Sequence, residues 1–440
     1  MNISIAERDA MIAAQAQQVP PIYGRVDFSI TPERFTAESD AVTELGPEFS
    51  ARRPALLANA ELVAQLKAYT MHGDPVADAY ASLSTQYGFH QLIVMLEEAC
   101  NRGVENVPSA PPELVRFLRE MHQFPAWLDR EMIEEGARIE RNAYAHRAPF
   151  VIRGGLLGTF MNKYSALPMV LTGSLSNKTA GRRVHETATF FTTTVMPDVL
   201  NPRGACFKSA AMVRLMHSMV RFNLMHHGDH WDVGVYGIPI PQVDQMPVGL
   251  FSVFPLALKA TRNGRTTFTP AERARLELAR YRCFLLGLPQ ELLVETPQAV
   301  VDIMLTRFAT LRKGYDDNCN ALVRATMTAD LTLDPSWRGR WHAWLEGGFS
   351  KLFFVTRTMR GDKQAAAKVG VRVGLADYFA AATAGIVIAI TMTSYAIATR
   401  IPGIRDSADR SLVRKLARLM AAYGHAEFAT NAANYHPAQA

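Results

Sequence analysis

The sequence predicts an all-α fold, a single large helical domain, on three observations. Apolar residues recur at helical spacing over long stretches, and no stretch shows the sustained alternation that is typical of strands. Proline and glycine clusters separate these stretches, and Thr269, Pro270 and Glu272 have the order of a helix start. Hydrophobic residues make up 48% of the 440 residues, which is enough for a large core.

Three segments are expected within this domain. Residues 1–110 are predicted to form an N-terminal arm and accessory helices, because prolines interrupt the first 50 residues. Residues 111–335 are predicted to form the helical core that carries the candidate site. Residues 336–440 are predicted to form C-terminal helices, which include an apolar segment at 378–399.

The apolar segment has two interpretations. It contains 22 residues without a charge and is followed by Arg400, so it is long enough to span a bilayer. It is also rich in alanine and threonine, which makes its insertion energy marginal. A buried core helix and a membrane helix or membrane contact both stay open at this point.

Charge and cysteine content restrict the class of protein. The net charge of +6 is mild, and no nucleic-acid-binding motif accompanies the basic residues at 405–418, so no nucleic-acid partner is expected. The four cysteines form no CxxC pair, which favours reduced, structural thiols. The first residues do not have the pattern of a secretory signal, so a cytoplasmic and possibly membrane-associated protein is expected. The oligomeric state is not predicted.

The most informative stretch is Phe207–Met225, which is apolar on all sides except for one polar stripe. Arg214, His217 and Arg221 stand at i, i+3 and i+7, so they share one helix face. Buried guanidinium groups need anions, and an imidazole between two arginines stays neutral and can bind a metal. Either a haem places its iron on His217 and its propionates near the arginines, or the arginines pair with acidic residues from elsewhere around a core histidine.

Arg183 and Thr187 stand four residues apart and therefore face the same way on the preceding predicted helix. They are candidates to supply a cation and a hydroxyl to bound oxygen or to a propionate. Glu186 is expected to pair with Arg182 in an ordinary surface salt bridge.

A second cluster follows the buried helix and contains His226, His227, Asp229, His230 and Asp232. This cluster contains the ligand types of an iron site with two histidines and one carboxylate. Such sites usually lie on strands, and Gly228 disfavours a rigid helical pair, so histidines that cap a helix end are the favoured interpretation.

The order of the motifs resembles one known family, the haem oxygenases that include bacterial latex-clearing proteins and the membrane-bound oxygenase of mycophenolic acid biosynthesis. The resemblance covers about residues 120–330. The motifs that carry it are Arg183-x-x-x-Thr187, Val213-Arg214-x-x-His217-x-x-x-Arg221, Gly237-Ile-Pro-Ile240 with Asp244, and Arg280-Tyr-Arg282 before Leu286-Gly-Leu-Pro289.

This resemblance implies a globin-like helical core with one haem b, in which His217 is the proximal iron ligand and Arg183 and Thr187 line the pocket. It also implies that dioxygen is a co-substrate and that carbon–carbon double bonds of an isoprenoid chain are cleaved to aldehyde and ketone ends.

The sequence departs from latex-clearing proteins at Glu186, where they have a lysine, and it has no acidic residue between Phe160 and Gly181. A smaller apolar or prenyl-chain substrate is therefore expected instead of rubber. A non-catalytic haem-binding protein and a metal-free, membrane-associated lipid-binding protein are the alternatives.

Overall fold

The computed structural model describes residues 3–172, 179–226 and 231–424, and helices dominate all three ranges. Apart from two isolated β-bridges, no extended pairing occurs among the residues described. The predicted all-α fold is therefore confirmed.

The helices follow one another with short connections. The first helices are α1 Ile5–Ala13, α2 Gln15–Gln18, α3 Pro20–Tyr23, α4 Arg53–Leu57, α5 Ala60–Ala68, α6 Pro75–Ala81, α7 Ser84–Tyr87, α8 Phe89–Arg102, α9 Pro112–His122, α10 Arg130–His146, α11 Ala148–Thr159 and α12 Lys163–Leu171. The later helices are α13 Ala180–Thr193, α14 Ala205–His226, α15 Val233–Tyr236, α16 Gln242–Gln245, α17 Pro247–Arg262, α18 Pro270–Leu285, α19 Pro297–Thr310, α20 Asp317–Thr328, α21 Trp337–Phe353, α22 Lys363–Lys368, α23 Leu375–Ala398 and α24 Arg405–Tyr423. Short 3₁₀ turns occupy Pro47–Arg52, Val104–Asn106 and Gln290–Leu292, and one π-turn occupies Phe354–Thr358.

The predicted start of α18 is confirmed. The Thr269 hydroxyl accepts a hydrogen bond from the backbone N–H of Glu272 at 3.3 Å, and the Glu272 carboxylate accepts one from the N–H of Thr269 at 2.9 Å. This reciprocal pair satisfies two donors that a helix start leaves without partners. Asp129 caps α10 in a similar way through the N–H of Met132.

The first 50 residues form an irregular arm only in part. Helices α1 to α3 lie within residues 5–23, whereas residues 24–46 form no helix. Pro20 lies in the first turn of α3, where a missing N–H costs nothing. Val19, Ile22 and Tyr23 are buried against Phe222 of α14. Pro20 and Pro21 therefore begin helix α3, and the apolar face of α3 packs against α14.

One large apolar core joins all three predicted segments, because Leu66, Leu305 and Leu416 belong to the same cluster of buried side chains. A smaller cluster lies among α11, α12 and α20. The four cysteines are buried and form no disulfide, as expected of structural thiols. The three-segment division stays a prediction.

Helix α14 is the centre of the fold and packs against α3, α6, α8, α13 and α18. Its apolar residues, such as Met212, Leu215 and Met219, are buried on all sides of the helix. A helix without a polar face has no side to present to water, which explains the central position.

Helix α23 contains the apolar segment and is not the buried core helix that one interpretation predicts. Ala380, Ala384 and Ile388 are buried, whereas Phe379 and Ile390 on the opposite side are exposed. With 24 residues and a mean hydropathy of 1.7, α23 is long and apolar enough to cross a membrane by length and composition. The helix therefore packs on the body along one face only.

The glycines of α11 give a test of the packing. We expect Gly154→Ala to lower the free energy of unfolding by about 1–2 kcal/mol, because the added Cβ lies 2.7 Å from Cδ1 of Phe353. Gly155→Ala is the matched control, because nothing lies within 4 Å of its Cβ. This variant is expected to gain up to about 1 kcal/mol from the lower flexibility of its unfolded chain. Urea denaturation measures both, and equal stability would contradict the close contact at Gly154.

Candidate functional site

The predicted polar stripe lies on one face of α14. Arg214 and Arg221 are buried, whereas His217 and the preceding Met216 keep some accessible surface among buried neighbours. His217 is nevertheless deep in the protein, because loss of hydration is the largest cause of its lowered pKa. The imidazole therefore borders an internal gap in the packing.

Arg214 pairs with acidic residues from two other helices. Its guanidinium donates two hydrogen bonds to Asp74, of which Nη2 to Oδ1 measures 2.8 Å, and it contacts Oε1 of Glu120 at 2.5 Å. Asp74 is the N-cap of α6, and Glu120 lies on α9. Gly287 has a φ of +80° and lies so close that a Cβ there would stand 2.7 Å from the Arg214 guanidinium. The glycine of the Leu286-Gly-Leu-Pro289 motif therefore leaves room for this ion pair.

Arg221 makes a second buried network. Its Nε donates to Oδ1 of Asp78 at 2.8 Å, its Nη2 to the Ser218 hydroxyl at 3.0 Å, and its Nη1 to the carbonyl of Ile240 at 3.1 Å. The Tyr23 hydroxyl donates to the same Asp78 carboxylate. Ile240 belongs to the Gly237-Ile-Pro-Ile240 motif, so this motif supplies a carbonyl that satisfies a buried cation.

The charges of both arginines are met by protein carboxylates. Burial alone would raise the pKa of Asp74, but the charge and hydrogen bonds of Arg214, together with the Arg221 charge and the N–H of Ala77, hold that pKa below its usual value. Burial raises the pKa of Asp78 although Arg221 opposes it. The pairing of Arg214 and Arg221 with acidic residues from elsewhere is thus what the structure shows. Their direct contact with a cofactor stays a prediction.

His217 is oriented by a chain of two glutamines from α16. Nε2 of Gln242 donates to the carbonyl of Gly73 at 2.7 Å, and Oε1 of Gln242 accepts from Nε2 of Gln245 at 3.1 Å. Oε1 of Gln245 then lies 3.1 Å from Nδ1 of His217. We call this chain the glutamine relay.

The relay fixes the tautomer of His217. A backbone carbonyl can only accept a hydrogen bond, so the side-chain amide of Gln242 must turn its nitrogen toward Gly73 and its oxygen toward Gln245. The amide of Gln245 must then turn its nitrogen toward Gln242 and its oxygen toward His217. Nδ1 of His217 must then carry the proton, which leaves a lone pair on Nε2. Metal-bound histidines in proteins are commonly held in this way, by an acceptor on the nitrogen that does not bind the metal.

The protonation state of His217 suits the same role. Burial lowers its pKa to about 4, and the nearby positive charge of Arg221 adds to the effect. The imidazole is therefore neutral at physiological pH, as a ligand must be.

Arg183 lies beside His217, although the two residues belong to different helices. Its Nη1 lies 3.3 Å from Sδ of Met216, which directly precedes His217. The Arg183 charge is also among the causes that lower the pKa of His217. The hydroxyl of Thr187 donates to the carbonyl of Arg183 within α13 at 2.9 Å. The structure therefore brings Arg183 to the candidate ligand, and the catalytic roles of Arg183 and Thr187 stay predictions.

Glu186 makes the predicted salt bridge with Arg182, but not at the surface as expected. Its carboxylate is buried and lies 2.9 Å from Nη1 of Arg183, whereas Nε of the exposed Arg182 is 4.0 Å away. The packing of α13 against α14 decides which side of the helix is covered, and sequence spacing alone does not show this.

The histidine cluster after α14 lies largely outside the residues that the structure describes, since these omit His227, Asp229 and His230. His226 stacks on the Phe222 ring with 4.7 Å between the centroids. No group of three or more histidine, cysteine or acidic side chains that suits a metal ion occurs in the described part of the chain. A metal role for this cluster stays a prediction.

Sequence reasoning missed the partners of the stripe. Asp74 and Asp78 stand four residues apart, and Gln242 and Gln245 stand three apart in a proline-rich segment. Polar residues at helical spacing in otherwise apolar surroundings are the signal that identifies such groups. Nothing in the sequence shows which of them reaches α14.

With this geometry in place, the comparison with known proteins decides the family. A profile of the family described as "ER-bound oxygenase mpaB/B′/rubber oxygenase, catalytic domain" matches residues 143–422. The chain belongs to this family. The matched part begins in α10 and ends in α24, so this mpaB/rubber oxygenase chain carries all of its predicted site residues within the family region.

A solved structure supports the assignment of the fold. The latex clearing protein in its closed state superposes with a TM-score of 0.55 and 17% identity, over 80% of this chain and 91% of that chain. At this identity the likeness shows a shared fold. No curated protein matches the chain. The predicted resemblance is confirmed, and the family region also includes α23, beyond the range of about 120–330 that the motifs cover.

Proposed function

We propose that this chain is a haem b-dependent oxygenase that uses dioxygen to cleave carbon–carbon double bonds of an apolar, isoprenoid-type substrate. His217 would be the residue that holds the iron. The observation that carries this proposal is the glutamine relay, which leaves the Nε2 lone pair of a neutral, deeply placed histidine free. Membership of an oxygenase family supports the reaction class.

The surroundings of His217 fit an apolar macrocycle. Met216 offers a soft and adaptable side chain next to the imidazole, and most of the other residues of α14 are apolar. Bound haem would supply the iron that activates dioxygen. The protein supplies the ligand, its orientation and an environment without bulk water.

Arg183 is the cation of the proposed pocket, and Thr187 is its hydroxyl. Arg183 is kept beside Met216 by the buried carboxylate of Glu186 at 2.9 Å. Although Glu186 offsets part of its charge, the Arg183 guanidinium beside His217 would favour negative charge on a group held there, such as a propionate. Glu186, which stands where latex-clearing proteins have a lysine, thus positions Arg183.

Arg214 and Arg221 hold His217 in place indirectly, by fixing the helix α14 that carries it. Their bonds to Asp74 and Asp78 fix α14 on both sides of His217. A direct bond to a propionate would require them to share or leave these carboxylates, at a high cost in a buried place. We therefore infer that they hold the imidazole rigidly in position.

The proposed substrate is a small prenyl or terpenoid compound and not a polymer. The differences from latex-clearing proteins at Glu186 and in the stretch 160–181 support this choice. The four buried thiols without a disulfide support a reducing compartment such as the cytoplasm, where compounds of this size are available.

The visible spectrum, followed by oxygen uptake, tests the proposal. Wild-type protein is expected to show a Soret band as purified or after titration with haemin, with one haem per chain. The loaded protein is then given squalene or geranylgeraniol, and squalane, which is saturated, serves as the matched control. Oxygen uptake with carbonyl products is expected from the unsaturated chains alone.

Two results would overturn the proposal. Haem binding without oxygen uptake from any unsaturated chain would indicate a non-catalytic haem-binding protein. A colourless protein that takes up no haemin would indicate a metal-free lipid-binding protein.

A further inference from the structure

Helix α23 presents an uncharged and mostly apolar stripe to solvent. The exposed side chains follow each other at intervals of three, four or seven residues along the whole helix, so they lie on one face. No charged side chain occurs between Tyr378 and Thr399. The large members of the stripe are Leu375, Phe379, Ile386, Ile390 and Ile397.

Aromatic side chains of α21 extend this stripe sideways. The rings of Trp341 and Trp344 are 4.7 Å apart, and Trp344 lies 6.1 Å from Phe379 of α23. Trp337, one turn before Trp341, is also exposed. Exposed tryptophans beside an apolar surface are typical of the boundary between hydrocarbon and lipid headgroups.

The helix is tied to the body along its length. Near its start, Nζ of Lys351 lies 2.8 Å from Oδ1 of Asp377. Near its end, Nδ2 of Asn142 donates to the carbonyl of Met392 at 2.8 Å, and the hydroxyl of Tyr395 is hydrogen-bonded to a serine of α24. Both ends therefore stay on the same side of any membrane while these contacts persist, so the helix cannot cross one.

The end of α23 and the next helix carry exposed basic side chains. Asp409, which precedes Arg410, is bound through its carboxylate to Arg141 of α10 at 2.6 Å, so Asp406 is the acidic side chain of this stretch that stays exposed among the arginines. Exposed arginines next to an apolar stripe attract anionic headgroups. The exposed arginines of this region are Arg400, Arg405, Arg410, Arg414 and Arg418.

We propose that the stripe of α23, together with Trp337 and Trp341, is a membrane-docking surface that lies in the plane of an anionic bilayer. The apolar side chains enter the outer part of the hydrocarbon layer, and the arginines contact the headgroups. A second copy of this chain would bring the same basic residues to the contact, whereas an anionic bilayer supplies the opposite charge. The surface does not depend on the cofactor, so it is tested separately from the proposed function.

Vesicle flotation of the full chain tests this surface. Wild type is expected to float with vesicles of phosphatidylcholine and roughly 30% phosphatidylglycerol, more weakly with phosphatidylcholine alone, and less at high salt. The variant Ile386→Glu with Ile390→Glu is expected to lose binding by at least about tenfold. Phe251→Glu is the matched control, because Phe251 is 63% exposed against 62% for Ile390 and lies on α17, away from the stripe.

The outcomes separate the possible occupants. Equal flotation of the double variant and wild type, or no flotation of wild type, overturns the docking surface. Resistance of bound wild type to extraction by alkaline carbonate shows a spanning helix and overturns the in-plane arrangement. A dimer that the double variant converts to a monomer, without vesicle binding, assigns the stripe to a second copy. Circular dichroism confirms that each variant is folded.

Discussion

Replacing His217 with alanine is expected to lower the affinity for haemin by more than about 100-fold and to remove the Soret band. The substitution removes the axial ligand, and no other histidine belongs to the polar stripe of α14. The fold is expected to survive. His217 is only partly buried, and the loss of its bond to Gln245 costs about 1–3 kcal/mol at most. Haemin titration with circular dichroism measures both effects.

Three further variants test whether the lower haemin affinity of His217→Ala comes from the loss of an iron ligand. Gln245→Leu keeps the ligand and removes its acceptor, so an intermediate loss of about 10- to 100-fold is expected. His226→Ala removes a histidine from the same helix, and we expect full haemin binding. In His217→Gly, added imidazole is expected to restore the band. Normal haemin binding by His217→Ala would place the iron ligand elsewhere.

Replacing Arg221 with methionine is expected to lower the free energy of unfolding by about 3–5 kcal/mol. Arg221 and Asp78 are both fully buried, so the variant leaves a carboxylate without its cation in the interior. The loss is expected to shrink as the pH falls from 8 toward 5. The folded-state pKa of Asp78 is raised above its unfolded value, so the folded variant binds a proton before the unfolded chain does. Urea denaturation at several pH values measures this dependence.

The double variant with Asp78→Asn is the control for Arg221→Met. It removes the uncompensated charge, and we expect it to recover part of the lost stability and to lose the pH dependence. A loss below about 1 kcal/mol in the single variant would contradict a structural ion pair at this position.

The sequence was sufficient to predict the fold class and the central position of α14, because an apolar helix with one polar stripe has few other places in a soluble protein. It was not sufficient to choose the partners of Arg214 and Arg221. Any of the 41 acidic residues could meet a buried arginine, and only the tertiary fold selects Asp74 and Asp78. The closer pair of Glu186 with Arg183 was not predicted for the same reason, since burial depends on the rotation of α13.

The apolar segment 378–399 shows a second limit of prediction from sequence. The composition shows that Phe379 and Ala380 are both apolar. It does not show that Phe379 faces solvent and that Ala380 faces α21. Only the contact with α21, where Gly348 leaves room for Ala380, reveals which face is left exposed. Hydropathy therefore measures how apolar a helix is and leaves open what covers it.

The relay also constrains when the site can form during synthesis. The bond from Gln242 to Gly73 joins positions 169 residues apart, and the bond from Arg214 to Asp74 joins positions 140 residues apart. Contacts of such long range cannot form until the ribosome has released both partners, and they close slowly. A nascent chain that ends before Gln245 therefore has an α14 sequence but no oriented imidazole. Any cofactor that needs this nitrogen is acquired late, by a nearly complete chain.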